Sequence, residues 1–103
     1  MTNFRSMLTG NQRRYLRGLA HHRKPVVTIG AKGVTGEVLG EIDLALGHHE
    51  LVKMKLPAVD SSRRKTIVDG ICEATRAQWV QTIGRVGIIY RPAPEPKIVI
   101  PDT

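Results

Sequence analysis

Several things are scarce in this chain, and each shortage removes a class of explanation. Of its 103 residues only one, Cys72, is a cysteine, so no internal disulfide forms and both common zinc patterns, which need paired cysteines, are excluded. Aromatic residues are few: one tryptophan, one phenylalanine and two tyrosines. The basic arc of the first helix therefore has no large aromatic face beside it, which argues against a membrane-surface role. Acidic residues number nine against sixteen Lys and Arg. No run approaches the roughly 18–20 apolar residues of a membrane span, and the opening MTNFRSMLTG lacks the apolar core of roughly 7–15 residues found in a signal peptide. These absences lead us to expect a cytoplasmic chain with no membrane partner.

What the chain does have is positive charge. A net charge of +7 attracts polyanions and speeds their encounter, which makes nucleic acid the leading candidate partner. The length suits one domain, able to bury roughly 60–68% of its unfolded surface without a staple.

Hydrophobic spacing gives the element order. Thr9 is a candidate N-cap for a helix over about residues 10–22, with Tyr15, Leu16, Leu19 and Ala20 on an apolar arc and Arg13, Arg14, Arg17 and His21 on a basic one. Pro25 disfavours helix before it, and Val26-Val27-Thr28-Ile29 predicts a short buried strand. Thr35 can cap a second helix with Val38, Leu39, Ile42, Ala45 and Leu46 on one face, ending near Gly47 or His48. Leu51 to Leu56 alternates with period two and ends at Pro57. Asp60 or Ser61 caps a third helix whose buried arc is Ile67, Val68, Ile71, Cys72, Ala74 and Thr75. Trp79 to Ile83 and Val86 to Arg91 form a hairpin whose Gly84-Arg85 link suits a type II′ turn. The order αβαβαββ, with two βαβ crossovers, predicts an α/β fold of the α+β two-layer type: a four-stranded mixed sheet with helices packed on it. In that register Trp79 is buried, and Lys53 and Lys55 face away from the helices.

The segment Gly30-Ala31-Lys32-Gly33 sits between a strand and a helix. It is neither a P-loop nor the dinucleotide fingerprint G-x-G-x-x-G, so nucleotide cofactors lose their support. It reads either as a plain turn or as an anion clamp, where glycines admit close approach and a helix start offers unpaired N–H groups. A loop of this kind clamps single strands in the KH module. Lys32 and the nearby Arg23-Lys24 favour the clamp. Arg63-Arg64-Lys65 supply a second signal, because three cations in the first turn of a helix oppose its dipole. They are a solvated run or a contact for a polyanion. Arg13, Arg14 and Arg17 form either a contact surface or an ordinary solvated face.

Catalysis finds no constellation. The pairs His21-His22 and His48-His49 are adjacent, pointing about 100° apart on a helix, and cannot chelate a metal as an i, i+4 pair does. Cys72 lies on an apolar arc and reads as a core filler, and Glu37 and Glu41 as a surface pair. No catalytic residue, metal site or cofactor is expected. "RVGIIYR" also lacks the aromatic positions of an RNA-recognition motif.

Four segments carry a family resemblance: Lys24-Pro25-Val26-Val27, Gly30-Ala31-Lys32-Gly33, His48-His49-Glu50-Leu51, and Ile83-Gly84 through Tyr90-Arg91-Pro92. From about Leu8 to Pro101 the chain resembles a stand-alone bacterial CRM domain of the CRS1–YhbY type. The resemblance implies an RNA-binding domain folded like the C-terminal domain of translation initiation factor 3, with the G-x-x-G loop in contact with RNA and a role in assembly of the large ribosomal subunit. The expected organisation is a flexible N-terminus over residues 1–7, an RNA-binding domain over 8–92 and a Pro-rich arm over 93–103. A monomer is expected. The rival reading is an architectural DNA-binding protein held by phosphate contacts alone.

Overall fold

The computed structural model describes residues 7–103, so the flexible start expected over residues 1–7 lies, but for Met7, outside the described residues. The elements follow the expected order: α1 (Gly10–Ala20), β1 (Val27–Thr28), α2 (Gly36–His49), β2 (Leu51–Lys55), α3 (Ser61–Thr75), β3 (Gln78–Ile83) and β4 (Val86–Tyr90). Their starts are locally encoded. Thr9 accepts the Gln12 backbone N–H while the Gln12 side chain accepts that of Thr9, a complete capping box. Thr35 accepts the N–H of Val38 at 3.2 Å and Asp60 that of Arg63 at 2.8 Å, capping α2 and α3.

The strands lie in the order β1-β2-β4-β3. β1 pairs parallel to β2, while β4 is antiparallel to both β2 and β3, so β3 runs parallel to β2 with β4 between them. The carboxyl ends of β1, β2 and β3 consequently share one end of the sheet, the usual ligand end of an α/β sheet. Gly84 has φ +56° and Arg85 has no positive φ, as the type II′ turn requires.

Helices cover both faces of the sheet. Ile42 and Leu46 of α2 and Val68 and Ile71 of α3 pack with Val52, Met54 and Ile89 on one face. Leu16 and Ala20 of α1 pack with Leu51, Ile88 and Tyr90 on the other. The mixed sheet and three helices stand as expected, and a two-layer description is completed by the second helical face. Gly87 of β4 sits close under this packing: a Cβ there would lie 3.2 Å from a Val68 methyl and 3.3 Å from the Met54 methyl, so these side chains would have to shift by a few tenths of an ångström.

The two-sided arrangement corrects several side-chain expectations. Trp79 is 44% exposed, because β3 is an edge strand and a bulge between Trp79 and Gln81 sends Val80 into the core instead. Lys53 does not face away from the helices: its ammonium donates to the carbonyls of Ala20 at 3.2 Å and Arg23 at 3.1 Å, closing the C-terminal end of α1. Ala74 is exposed rather than buried.

The segment after β4 folds back over α1's face. Glu50, only 2% exposed and at φ +63°, ends α2 and receives the backbone N–H groups of Ala93, Lys97 and Ile98 at 2.7, 3.0 and 2.9 Å. Burial pushes its pKa up, but these three donors and the Lys97 charge outweigh it and hold the carboxyl below its ordinary value. Burial, then the Glu50 charge, push the Tyr90 phenol up. Ile98 and Ile100 pack against the α1 cluster, and Gln12 donates to the Pro101 carbonyl at 2.8 Å. Among the described residues no helix is long and apolar enough to cross a membrane.

Candidate functional site

The loop after β1 begins where Ile29 donates its N–H to the Lys55 carbonyl at 2.8 Å, the last tie to the sheet. The chain then turns sharply: Gly33 donates to the Gly30 carbonyl at 3.0 Å and takes φ +78°, which a glycine adopts without strain. Lys32, at the tip of this turn, is exposed, and no side-chain partner holds it among the described residues.

Across from the turn stand the β2–α3 connection and the first turns of α3. Lys32, Gly33, Pro57, Ser62 and Arg63 line one open cleft of about 590 Å³ between the two walls. α2 and α3 follow the parallel strands β1 and β2, so both helices begin at this end of the sheet; Val34 borders the cleft ahead of α2, and Ser62 and Arg63 of the first turn of α3 line it. Asp60 also borders the cleft, with its carboxylate occupied by the Arg63 N–H.

The three cations of α3 separate in space. Arg63 lines the cleft with a guanidinium that has no partner among the described residues. Arg64 turns back to donate to the Val59 carbonyl and anchors the connection. Lys65 pairs with Asp69 at 2.8 Å, one turn further along the helix, and borders a different groove. Sequence spacing could not divide these roles, since each depends on what lies across from the helix.

The remaining predicted residues lie elsewhere. Arg13 donates to the Leu8 carbonyl at 2.8 Å and Arg14 to the Asn11 side chain at 3.3 Å, both on α1, while the half-buried Arg17 has no side-chain partner among the described residues. Arg23 donates to the Leu51 carbonyl at 3.0 Å. With Lys24, Lys53, Lys97, His48 and His49 it surrounds a second concavity of about 420 Å³, at the opposite end of α2 from the first cleft. The hairpin arginines are structural: Arg85 donates to the Leu56 carbonyl at 3.0 Å, and Arg91 pairs with Asp43 at 2.7 Å and donates to the Thr75 carbonyl at 2.8 Å.

Burial, with a smaller contribution from Asp69, pushes the Cys72 thiol up to about 12, so it stays protonated at neutral pH. Among the described residues no three His, Cys, Asp or Glu side chains gather as metal ligands.

Comparison with known proteins points in one direction. A family model described as the CRS1 / YhbY (CRM) domain matches residues 8–91. The chain is 46% identical over 94 residues to a Haemophilus influenzae protein named "RNA-binding protein", covering 91% of this chain and 95% of the relative. It is 37% identical over 89 residues to a Pseudomonas aeruginosa protein named "Probable RNA-binding protein", covering 86% of each. The solution structure of a Staphylococcus aureus protein superposes with a TM-score of 0.82 at 38% identity, covering 92% of this chain and 100% of that one.

Proposed function

The chain belongs to the CRS1 / YhbY (CRM) domain family, and we propose that it binds structured ribosomal RNA through the cleft between its G-x-x-G turn and the start of α3. The observation that carries this reading is the placement of Lys32 and Arg63, two cations without side-chain partners among the described residues, at the walls of one cleft that the start of α3 borders. Such an arrangement suits consecutive phosphates of a nucleic-acid backbone. The net charge of +7 supplies long-range attraction. Its relatives' names support RNA over DNA as the polymer.

In this reading Gly30, Ala31, Lys32, Gly33 and Arg63 form the primary contact, in a domain spanning residues 8–92 that acts as a monomer. Arg14, Arg17 and Lys24 widen the basic surface. The protein positions RNA and performs no catalysis, and its place is in assembly of the large ribosomal subunit in the cytoplasm, as the family resemblance implies.

The test is titration of labelled ribosomal RNA fragments and of duplex DNA at several salt concentrations. Wild type binds the RNA more tightly than the duplex at equal salt. Lys32→Ala weakens binding across RNA sequences and lowers the magnitude of the salt slope by roughly 0.7–0.9, the share of one phosphate. Equal affinity for duplex DNA, or an unchanged slope in Lys32→Ala with the fold intact, overturns the assignment.

A further inference from the structure

Trp79, the only tryptophan of the chain, stands on the edge strand of the sheet and is 44% exposed. It is held in place from two sides. The Arg13 guanidinium, itself fixed by the Leu8 carbonyl, lies 5.6 Å from the ring centre, and the indole N–H donates to the Thr82 hydroxyl at 2.9 Å. An exposed tryptophan so restrained costs little further ordering when a flat partner stacks on it.

The same ring lines a groove of about 570 Å³ between α3 and β3, together with Ser61, Ser62, Lys65, Asp69 and Thr82. Its chemistry differs from that of the neighbouring cleft. Lys65 and Asp69, the two charged residues of its lining, pair with each other at 2.8 Å, leaving hydroxyls and an aromatic surface. A planar group with hydrogen-bonding edges can use both the hydroxyls and the aromatic surface. Ser62 borders the groove and the phosphate cleft alike, so the two sites are continuous around the start of α3. From Ser62 to Asp69 is about 10 Å along the helix at 1.5 Å per residue, a short reach for a polynucleotide chain.

We propose that this groove takes an unpaired nucleobase of the RNA, stacked on Trp79, while the adjoining phosphates lie over the cleft between Lys32 and Arg63. The proposal rests on the RNA-binding reading and adds to it a requirement for a single-stranded nucleotide beside the phosphate site. Stacking on an aromatic side chain is tolerant of base identity, so the groove selects unpaired over paired RNA rather than one sequence over another.

The sole tryptophan makes the test direct. The full chain is titrated with a fluorescently labelled oligouridylate of about a dozen nucleotides, following probe anisotropy and Trp79 emission, and with inorganic tripolyphosphate as a phosphate-only probe. The oligonucleotide quenches Trp79 over the concentrations at which anisotropy rises, and tripolyphosphate does not. Trp79→Ala weakens oligonucleotide binding about 5- to 150-fold, and Trp79→Phe, which keeps a ring, weakens it less. Circular dichroism confirms that each variant is folded; should Trp79→Ala unfold, the wild-type quenching and the Trp79→Phe affinity decide. Binding by anisotropy with unchanged emission, or quenching with Trp79→Ala at wild-type affinity, overturns the stacking site and leaves the RNA-binding reading standing. Absence of any RNA binding by wild type overturns both.

Discussion

The Glu50 carboxylate accepts the backbone N–H of Ile98 at 2.9 Å across 48 positions of sequence. One of its oxygens also serves Lys97 and the other serves Ala93, so one buried side chain fixes the course of the segment after β4. Replacing one oxygen with an NH2 group must leave at least one of these donors facing another donor. Glu50→Gln should therefore lose about 1–3 kcal/mol of stability in denaturant unfolding at neutral pH.

The same carboxylate sets a dependence on acid. Its pKa in the folded protein lies below the ordinary value of 4.5, so the unfolded chain takes up the proton first. The stabilisation is complete above that ordinary value and is lost as pH falls through the lower folded one. Unfolding curves taken from neutral pH downward should show a larger loss below 4.5 in wild type than in Glu50→Gln. Parallel losses in the two proteins would assign the acid sensitivity to other carboxylates.

At the G-x-x-G turn, charge and backbone strain can be separated. A Cβ added at Gly33 meets open space, and φ +78° is a conformation that Asn and Asp tolerate better than other residues. Gly33→Asn and Gly33→Asp should therefore cost similar stability, but Asp should weaken RNA binding far more by placing a carboxylate beside Lys32. Equal affinities for the two variants would mean that no phosphate approaches this turn.

The adjacent arginines of α3 should behave oppositely. Arg63→Ala removes from the cleft a cation with no side-chain partner among the described residues, so it should weaken RNA binding and slightly raise the stability of the unbound protein by relieving the helix dipole. Arg64→Ala removes the tie to the Val59 carbonyl and should cost about 0.5–1.5 kcal/mol of stability. Paired titration and unfolding measurements check both. A loss of binding confined to Arg64→Ala would reverse the assignment.

Cys72 of α3 is partly buried and packs against the core cluster as a small apolar group. Cys72→Ala should cost about 1 kcal/mol of stability and leave RNA binding unchanged. Thiol reagents should label the native protein slowly at neutral pH, because the protonated thiol is a poor nucleophile.

The sequence by itself determined what depends on near neighbours. Thr9, Thr35 and Asp60 cap their helices within three residues, Gly84 sets the hairpin turn, and the alternation from Leu51 to Leu56 sets the pleat of β2. Such signals are local because a cap or turn is closed by atoms only a few bonds away. The Gly30–Gly33 turn and the excess of cations were legible for the same reason.

Tertiary structure decided the rest. Whether a β-strand residue is buried depends on which neighbours its strand acquires, so Trp79 became exposed when β4 came between β2 and β3 and left β3 at the edge. Lys53 took the C-terminal end of α1 because helices cover both faces. Glu50 and Arg91 had no local signal, since their partners are 43 to 48 positions away for the Glu50 carboxylate and 16 to 48 for the Arg91 guanidinium. Among twelve plausible binding residues, only the placement of the start of α3 across from the G-x-x-G turn brought Lys32 and Arg63 to one cleft. A charge acquires a role from the surfaces it faces, and those are fixed by contacts between segments far apart in the chain.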